Sequence, residues 1–493
     1  MDGTQLNLGK HMTTTRKVFN NFFLSFLSRL TAKAGDALLF IIIARLIGAE
    51  EAGVFRLAKS YMAVSLALSA WGLHDLLIRE LATRQNEGQK YLANYLFIRF
   101  VLAAAGYGVV LLLLSLNLPY AADTKTVIRI LSIAIFPEAL FTILEAFFIA
   151  YDRLLPPTIA GFVSGASKLI GGVGAIYLFG NDLQLIAWMI PTGTIIGLLP
   201  FIPASRRLFS QLQQSTKFKL DFQFILNQLH QISGFILIGV FYNLNDQQDT
   251  FLVSIFLNET QLGWYGAAQT ILFGFSILSA ATRIAIYPTM ARFYQESRHK
   301  FLDFYIKINR YAILTMLPLA TLVSLLARPI IIFVFGEAFE PASAALQWMI
   351  WEIFFLFLHI PNARYLLVQD KQKQLGWITG IGLIANVSLN LFLIPRFGIN
   401  GAAISRPIIA FFNFSLTYLW VRRGGIEFNL ASTIVRPLMV ALLMAAIIIL
   451  LRDESVFYAV VFGLAVYVIA SLLLGTFSRK DWYYIQLLYK KRQ

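Results

Sequence analysis

Fourteen apolar stretches, most near the ~20 residues that a helix needs to cross a bilayer, occupy almost the whole of this chain. They run over 18–47, 54–78, 91–115, 126–150, 158–179, 184–203, 222–256, 264–290, 304–328, 343–368, 375–394, 401–421, 433–451 and 457–477. Backbone N–H and C=O groups inside a bilayer must bond within the chain, so such stretches predict helices. The expected fold is all-α and polytopic, and the even number of spans puts both termini on one side of the membrane. Of 493 residues, 58% are hydrophobic and only 14% charged, against about 25% charged in a soluble domain. The first and seventh stretches are longer than one crossing, which implies tilt, kinking or extension into the headgroups. Gly35 and the pair Gly234/Gly239 are the expected bend points.

Basic residues alternate between the loops. One side carries Lys10, Arg16 and Lys17, then Arg79, Arg84, Lys90 and Arg153, then Arg206, Arg207, Lys217 and Lys219. The same side continues with Arg292, Arg298, Lys300, Lys371, Lys373, Arg422, Arg423 and a basic tail. The other side has far fewer: Arg45, Arg56, Lys59, Lys125, Arg328, Arg396 and Arg452. The positive-inside rule then places both termini in the cytoplasm of a plasma (inner) membrane protein. It also reads the net charge of +15 as a topology signal, so no nucleic-acid partner is expected. The N-terminus lacks a secretory pattern.

Function classes narrow further. There is no cysteine, and the five histidines show no metal-ligand spacing, so no metal site or cofactor is expected. No nucleophilic triad, phosphate-binding glycine loop or ATP motif occurs, and no loop exceeds about 20 residues, too short for a soluble catalytic domain. An enzyme is not expected. A substrate would be handled inside the bundle or at its lipid-facing seams.

An internal repeat organises the chain. At a shift of 210 residues, GAEEAGVFRLAKSY (48–61) lies over NETQLGWYGAAQTI (258–271), matching Gly53 to Gly263 and Phe55 to Tyr265. YLFGN (177–181) resembles PRFGIN (395–400) at a shift near 218. The expected organisation is a cytoplasmic segment 1–17, an N-lobe 18–203, a linker 204–221 and a C-lobe 222–421. Two further helices fill 433–477, and a basic amphipathic tail, 478–493, follows. Each lobe holds six spans, so the repeat is parallel, and transporters place substrate at such lobe interfaces.

Charges inside the apolar spans are the candidate functional residues, because a charge at membrane depth costs at least ~2.5 kcal/mol and normally faces a cavity or a partner. In the first span Arg29, Lys33 and Asp36 are spaced i, i+4, i+7 and share a helix face. Arg29 and Lys33 can receive an anionic headgroup, with Asp36 as gate partner; the structural alternative is an ion pair of Asp36 with Lys33 or Arg29. One carboxylate cannot neutralise two cations, which favours the headgroup reading. Arg56 and Lys59 add two cations near the outer end of the second span, where snorkelling is the alternative. Arg283 lies within the eighth span. In the seventh span, Asp246 and Asp249 share a face in the most polar run of any span. They could couple transport to H⁺ or Na⁺, or belong to a structural polar network. Lys168 in the fifth span is matched with Glu145 of the fourth as a structural pair, Glu138 being the next carboxylate on the same face. Glu352 and His359 repeat the i, i+7 spacing in the tenth span, where hydrogen-bonded burial is expected.

The segment SRLTAKAGDALLFIIIARLIGAEEAGVFRLAKSY resembles the start of the polysaccharide-type (O-antigen, lipid-linked oligosaccharide) flippases, and NDQQDTFLVSIFLNETQLGWYGAAQTI resembles their second-lobe counterpart. These belong to the superfamily that also holds lipid II flippases and multidrug-and-toxin extruders. The resemblance spans about 18–477 and implies two six-helix lobes enclosing a cationic cavity. It also implies a polyprenyl-diphosphate-linked glycan as substrate, membrane lipids as surroundings and a downstream glycan polymerase or ligase as partner. Arg29 is similar in position to a first-helix arginine of the lipid II flippases, which implies phosphate contact there. The alternative is an H⁺- or Na⁺-coupled exporter of small amphipathic compounds, whose site would be lined by acidic or aromatic groups rather than cations.

Overall fold

The computed structural model describes residues 34–70, 72–211, 220–426, 428–452 and 455–476, and no strand occurs among them. Eleven of the described helices are long and apolar enough to cross a membrane, or twelve if one bent pair counts as a single span. The chain is a multi-pass membrane protein with the expected all-α fold. The first and seventh expected spans run over positions only partly described, so the count of fourteen is not drawn from these helices. The described residues form two compact units that meet in sequence between Gly263 and Trp264.

The first unit opens with α1, helical over 34–46, followed by α2 (Ala49–Ala70), α3 (Leu73–Thr83) and α4 (Gly88–Ser115). It continues with α5 (Ala122–Ser132), α6 (Ile135–Ala150), α7 (Leu155–Phe179), α8 (Leu183–Leu198), α9 (Phe201–Gln211) and α10 (Phe222–Phe256). The expected span 54–78 is bent: the chain turns by 40° between α2 and α3, and the two helices together are long and apolar enough to count as one broken span. Gly72 adopts φ 71°, a left-handed conformation that glycine enters without the steric cost of a Cβ, and the helical hydrogen-bond ladder breaks there. The apolar pattern carries on through this turn and hides it from a hydropathy reading.

α10 is one unbroken 35-residue helix that packs on α2 and α4, in the same compact unit as the first nine helices. Its start is tied down by polar contacts. The Asp221 carboxylate caps it by accepting the Phe224 N–H at 3.0 Å, and the Lys90 ammonium lies 3.0 Å from the same carboxylate. Asn94 accepts the Asp221 N–H at 2.8 Å. One turn on, the Tyr95 hydroxyl donates to Gln228 at 2.8 Å, and near the far end Tyr120 and Ser254 hydroxyls share a hydrogen bond of 2.9 Å. An aromatic core of Tyr91, Tyr95, Phe147, Phe148 and Phe201 holds α4, α6 and α9 together at the Asp221 end. The Phe224 N–H and then the Lys90 ammonium hold the Asp221 carboxyl below the usual carboxylate range.

The second unit contains most of α11 (Glu259–Glu296), then α12 (Arg298–Leu325), α13 (Ala327–Phe335) and α14 (Ala342–Val368). α15 (Gln372–Phe397), α16 (Ile399–Arg423), α17 (Leu430–Leu451) and α18 (Val456–Leu473) complete it. α14 packs on α12 and α16, α15 on α16, and α17 joins α12 to α18. Gly463 lets α18 approach α17 so closely that an added Cβ would lie 2.7 Å from Ile448. The outer faces of α17 and α18 expose Leu442, Leu443, Leu450 and Leu473, the composition of a lipid-facing surface.

Both repeat signals are visible in the backbone. Gly180 ends α7 with φ 73°, and Gly398 ends α15 with φ 58°, so the two FG elements are the same helix stop used twice. Gly53 and Gly263 lie where α2 and the start of α11 cross. A Cβ on Gly53 would sit 1.8 Å from the Glu259 carbonyl oxygen, and one on Gly263 would sit 1.9 Å from that of Ala49. Residues 49 and 259 differ by the same 210 as 53 and 263, so the contact is reciprocal between the two matched segments.

Candidate functional site

In the first unit charged side chains within the spans pair with one another and with hydroxyls. Asp36 of α1 accepts from the Lys59 ammonium of α2 at 2.7 Å. Lys168 of α7 donates to Glu138 of α6 at 2.8 Å, and Thr194 of α8 donates to the same carboxylate oxygen at 3.2 Å. Lys168 also lies within electrostatic reach of Asp36, which joins the two pairs. Arg99 of α4, almost fully buried, donates to Ser69 at 3.0 Å and feels the charge of Glu138. Arg56 is half-buried one turn before Ser60. Small residues make the geometry possible. At Gly193 a Cβ would lie 2.8 Å from the Lys168 backbone nitrogen, so only glycine lets α8 seat on α7 and bring Thr194 to Glu138. Gly35 approaches the Gly165 carbonyl in the same way, with an added Cβ at 3.2 Å; it serves as a contact between α1 and α7.

The second unit holds a polar interior of its own. The Arg406 guanidinium of α16 grips Glu352 of α14 through two bonds, 2.6 and 3.2 Å. His359 meets the Thr417 hydroxyl at 3.2 Å. Tyr305 of α12 donates to Asn362 of α14, and Asn309 donates to the Tyr305 carbonyl at 2.9 Å. Arg283 of α11 lies within electrostatic reach of Arg364 of α14, and the Arg364 guanidinium carbon is 5.6 Å from the Tyr287 ring centre.

These contacts sort the residues singled out in the sequence. Arg29 and Lys33 lie outside the described residues, as does the tail 478–493. Asp36 pairs with Lys59 of the neighbouring span. Lys168 was matched with Glu145 but takes Glu138; Glu145 instead lies 3.8 Å from His74. Seven residues along one helix face amount to about 10 Å, so the stagger of α6 against α7 decides which carboxylate meets the ammonium. Asp246 and Asp249 do not converge: Asp246 is exposed and accepts from Gln247 at 3.2 Å, whereas Asp249 is buried and accepts from Gln248 at 2.5 Å. Glu352 and His359 are partly buried and bonded, to two different residues of α16. Among the described residues no group of three His, Asp or Glu side chains could hold a metal ion.

Arg99, Arg364 and Arg406 were not singled out in the sequence. Each is a cation inside an apolar span, the same signal that marks Arg29 and Arg283.

A polytopic helical bundle built on an internal repeat, with charged clusters in its interior, defines a membrane protein of the fold found in lipid and multidrug transporters. It is similar to the lipid II flippase MurJ in an inward closed conformation, with a TM-score of 0.72, 15% identity, 92% of this chain and 98% of that chain covered. It is also similar to an inward-facing multidrug resistance MATE family transporter, with a TM-score of 0.66, 13% identity and coverage of 80% and 94%. At these identities the likeness concerns the fold. The chain belongs to the polysaccharide biosynthesis protein family, whose sequence pattern matches residues 42–344, and this is the family expected from the residues of the first two spans. Over 171 residues it is 25% identical to the probable low-salt glycan biosynthesis flippase Agl15 of Haloferax volcanii, covering 34% of this chain and 36% of that relative. The match therefore spans little more than a third of the relative's length.

Proposed function

We propose that the protein is a flippase that carries a polyprenyl-diphosphate-linked oligosaccharide across the plasma membrane by alternating access of its two lobes, 18–203 and 222–421. The observation that carries this reading is the sign of the buried charge. The interior of the first unit sets Arg56, Lys59, Arg99 and Lys168 against Asp36, Glu138, Glu145 and Asp249, whereas that of the second sets Arg283, Arg364 and Arg406 against Glu352, so the surplus lies in the second unit. A surplus of cations in a low-dielectric interior favours a phosphate-bearing substrate over the amphipathic cations of an exporter. Family membership supports a role in polysaccharide assembly, and the relative's description as a glycan biosynthesis flippase supports lipid-linked glycan as the cargo.

On this reading Arg29 and Lys33 contact the diphosphate together with Arg56, Lys59 and Arg283. Lys59 leaves Asp36 when substrate arrives, which gives Asp36 its gating role. Both termini are cytoplasmic, and a glycan polymerase or ligase takes the product on the far side. The buried Asp249 is the better of the two candidates for H⁺ or Na⁺ coupling, because a carboxylate out of water responds most strongly to the ion it binds.

Proteoliposomes loaded with a fluorescent polyprenyl-diphosphate oligosaccharide test this directly, with and without imposed pH and Na⁺ gradients. Wild-type protein is expected to expose the glycan to an external lectin, and R29A/K33A to abolish that exposure at equal protein level. Unchanged transport by R29A/K33A would overturn the cationic-cavity mechanism.

A further inference from the structure

By the sequence repeat, α10 opens the second lobe, with the linker 204–221 before it. By contact it belongs to the first unit, and it is held there at both ends. At the basic-loop end Asp221 meets Lys90 and Asn94 of α4, and the Lys90 ammonium also lies 5.1 Å from the Phe224 ring centre. Tyr91 meets that ring edge-on at 5.0 Å, Phe97 meets Phe222 at 6.1 Å, and Ile225 joins the aromatic core of α4, α6 and α9. Buried Gln228 accepts from Tyr95. At the other end of the helix, Phe251 packs edge-on against Tyr61 of α2 at 5.0 Å, and Ser254 shares its hydrogen bond with Tyr120. Thr250, Val253 and Ser254 are buried there.

Parting α10 from α2 and α4 would break these contacts together. The Tyr95–Gln228 and Tyr120–Ser254 bonds are both buried, so each break leaves an amide or hydroxyl without a partner and without water to replace it. Aromatic faces at both ends would be uncovered in the same motion. The hold continues past the helix. Leu257 is extended (φ −127°, ψ 175°), Asn258 accepts the Gln261 N–H at 2.9 Å, and α11 then sets Gly263 against Ala49 and Gly53 of α2. Only from Trp264 does the chain enter the second unit. The linker 204–221 joins α9 to α10, two helices of one unit, and so does not separate two bodies.

We propose that α10 is a strap of the first lobe: it travels with α1–α9 throughout transport, and the second moving body starts at Trp264 rather than at Phe222. This rests on the alternating-access reading and shifts the boundary at which the two lobes part. It also makes Asp249 a residue of the first moving body, so an ion taken up there acts on that body.

The chain has no cysteine, so engineered pairs supply its only thiols. F97C/F222C reports on the basic-loop end and Y120C/S254C on the other, each in full-length protein in proteoliposomes. A short bis-methanethiosulfonate joins each pair, and reduction releases it. With the linker in place, both variants should move a polyprenyl-diphosphate oligosaccharide within about twofold of their reduced forms. A loss of about tenfold or more at either end, restored by reduction, overturns the proposal, because α10 then has to leave the first lobe. Spin labels on the same pairs give a readout that needs no transport. Their dipolar broadening should be unaltered by substrate and by imposed pH or Na⁺ gradients, and its loss at either end overturns the proposal. Phe97 and Phe222 are exposed, so the first pair leaves the core intact. At the other end, hydrogen exchange of the wild-type amides 250–256 serves without any substitution, and exchange that quickens with substrate overturns the proposal. A wild type that moves no lipid-linked glycan, with labels that stay paired under the gradients, sinks the flippase reading alone. Transport with labels that part sinks the strap alone.

Discussion

Replacing Gly53 with alanine tests the reciprocal crossing of α2 with the start of α11. The added Cβ would lie 1.8 Å from the Glu259 carbonyl oxygen and 2.9 Å from the Gly263 nitrogen. Both are backbone atoms in a helix and cannot swing aside. Van der Waals contact is reached only near 3.4 Å, so α2 and the start of α11 must part by more than an ångström. Overpacking of this kind costs about 3 kcal/mol, against a gain of about 1 kcal/mol in helix propensity when alanine replaces glycine. The net expectation is a loss of about 2 kcal/mol for G53A, and the same for G263A, whose Cβ would lie 1.9 Å from the Ala49 carbonyl. Because one separation of the helices relieves both clashes, the double variant should lose little more than either single variant. Reversible unfolding of the purified protein in detergent measures all three. G174A serves as control, since nothing lies within 4 Å of its added Cβ and it should be neutral or stabilising. Wild-type stability of G53A, or simple additivity in the double variant, would refute the reciprocal-crossing argument.

Two further expectations follow from named pairs. E352Q leaves the largely buried Arg406 guanidinium without its bidentate partner and should cost about 3 kcal/mol, whereas E352Q/R406M should recover most of that loss in the same unfolding assay. Asp221 has a folded-state pKa below its unfolded one, so its capping contribution is fully present above the unfolded value near pH 4 and disappears as pH falls through the lower, folded value. The stability difference between wild type and D221A should therefore be clear at pH 7 and vanish in strong acid; a difference that is constant with pH would refute the assigned role.

The stretches of apolar sequence and the helices coincide closely because hydrocarbon leaves the backbone almost no alternative, and one transfer property, hydropathy, decides the outcome residue by residue. The two repeat signals were legible for a related reason. Gly180 and Gly398 are needed for backbone conformations that other residues avoid, and Gly53 and Gly263 for a contact that admits no Cβ. The turn at Gly72 was not legible, since a single glycine in an unbroken apolar run gives no hydropathy signal. The candidate site was legible only as a set of charges. Arg99, Arg364 and Arg406 stand as plainly in the sequence as Arg283, but a lone cation in a span does not announce what it will meet.

The sequence by itself determined that this chain is a helical, repeat-built membrane protein with more cations than anions in its spans. Those properties follow from the solvent the chain must enter and from charges whose cost there depends little on their neighbours. Only the tertiary structure decided the partners: Glu138 rather than Glu145 for Lys168, Lys59 for Asp36, a buried place for Asp249 and an exposed one for Asp246. A helix face offers several positions a turn or two apart, and which one meets a neighbour depends on stagger and tilt. Those are set by backbone contacts at residues such as Gly35 and Gly193, which seat α1 and α8 on α7.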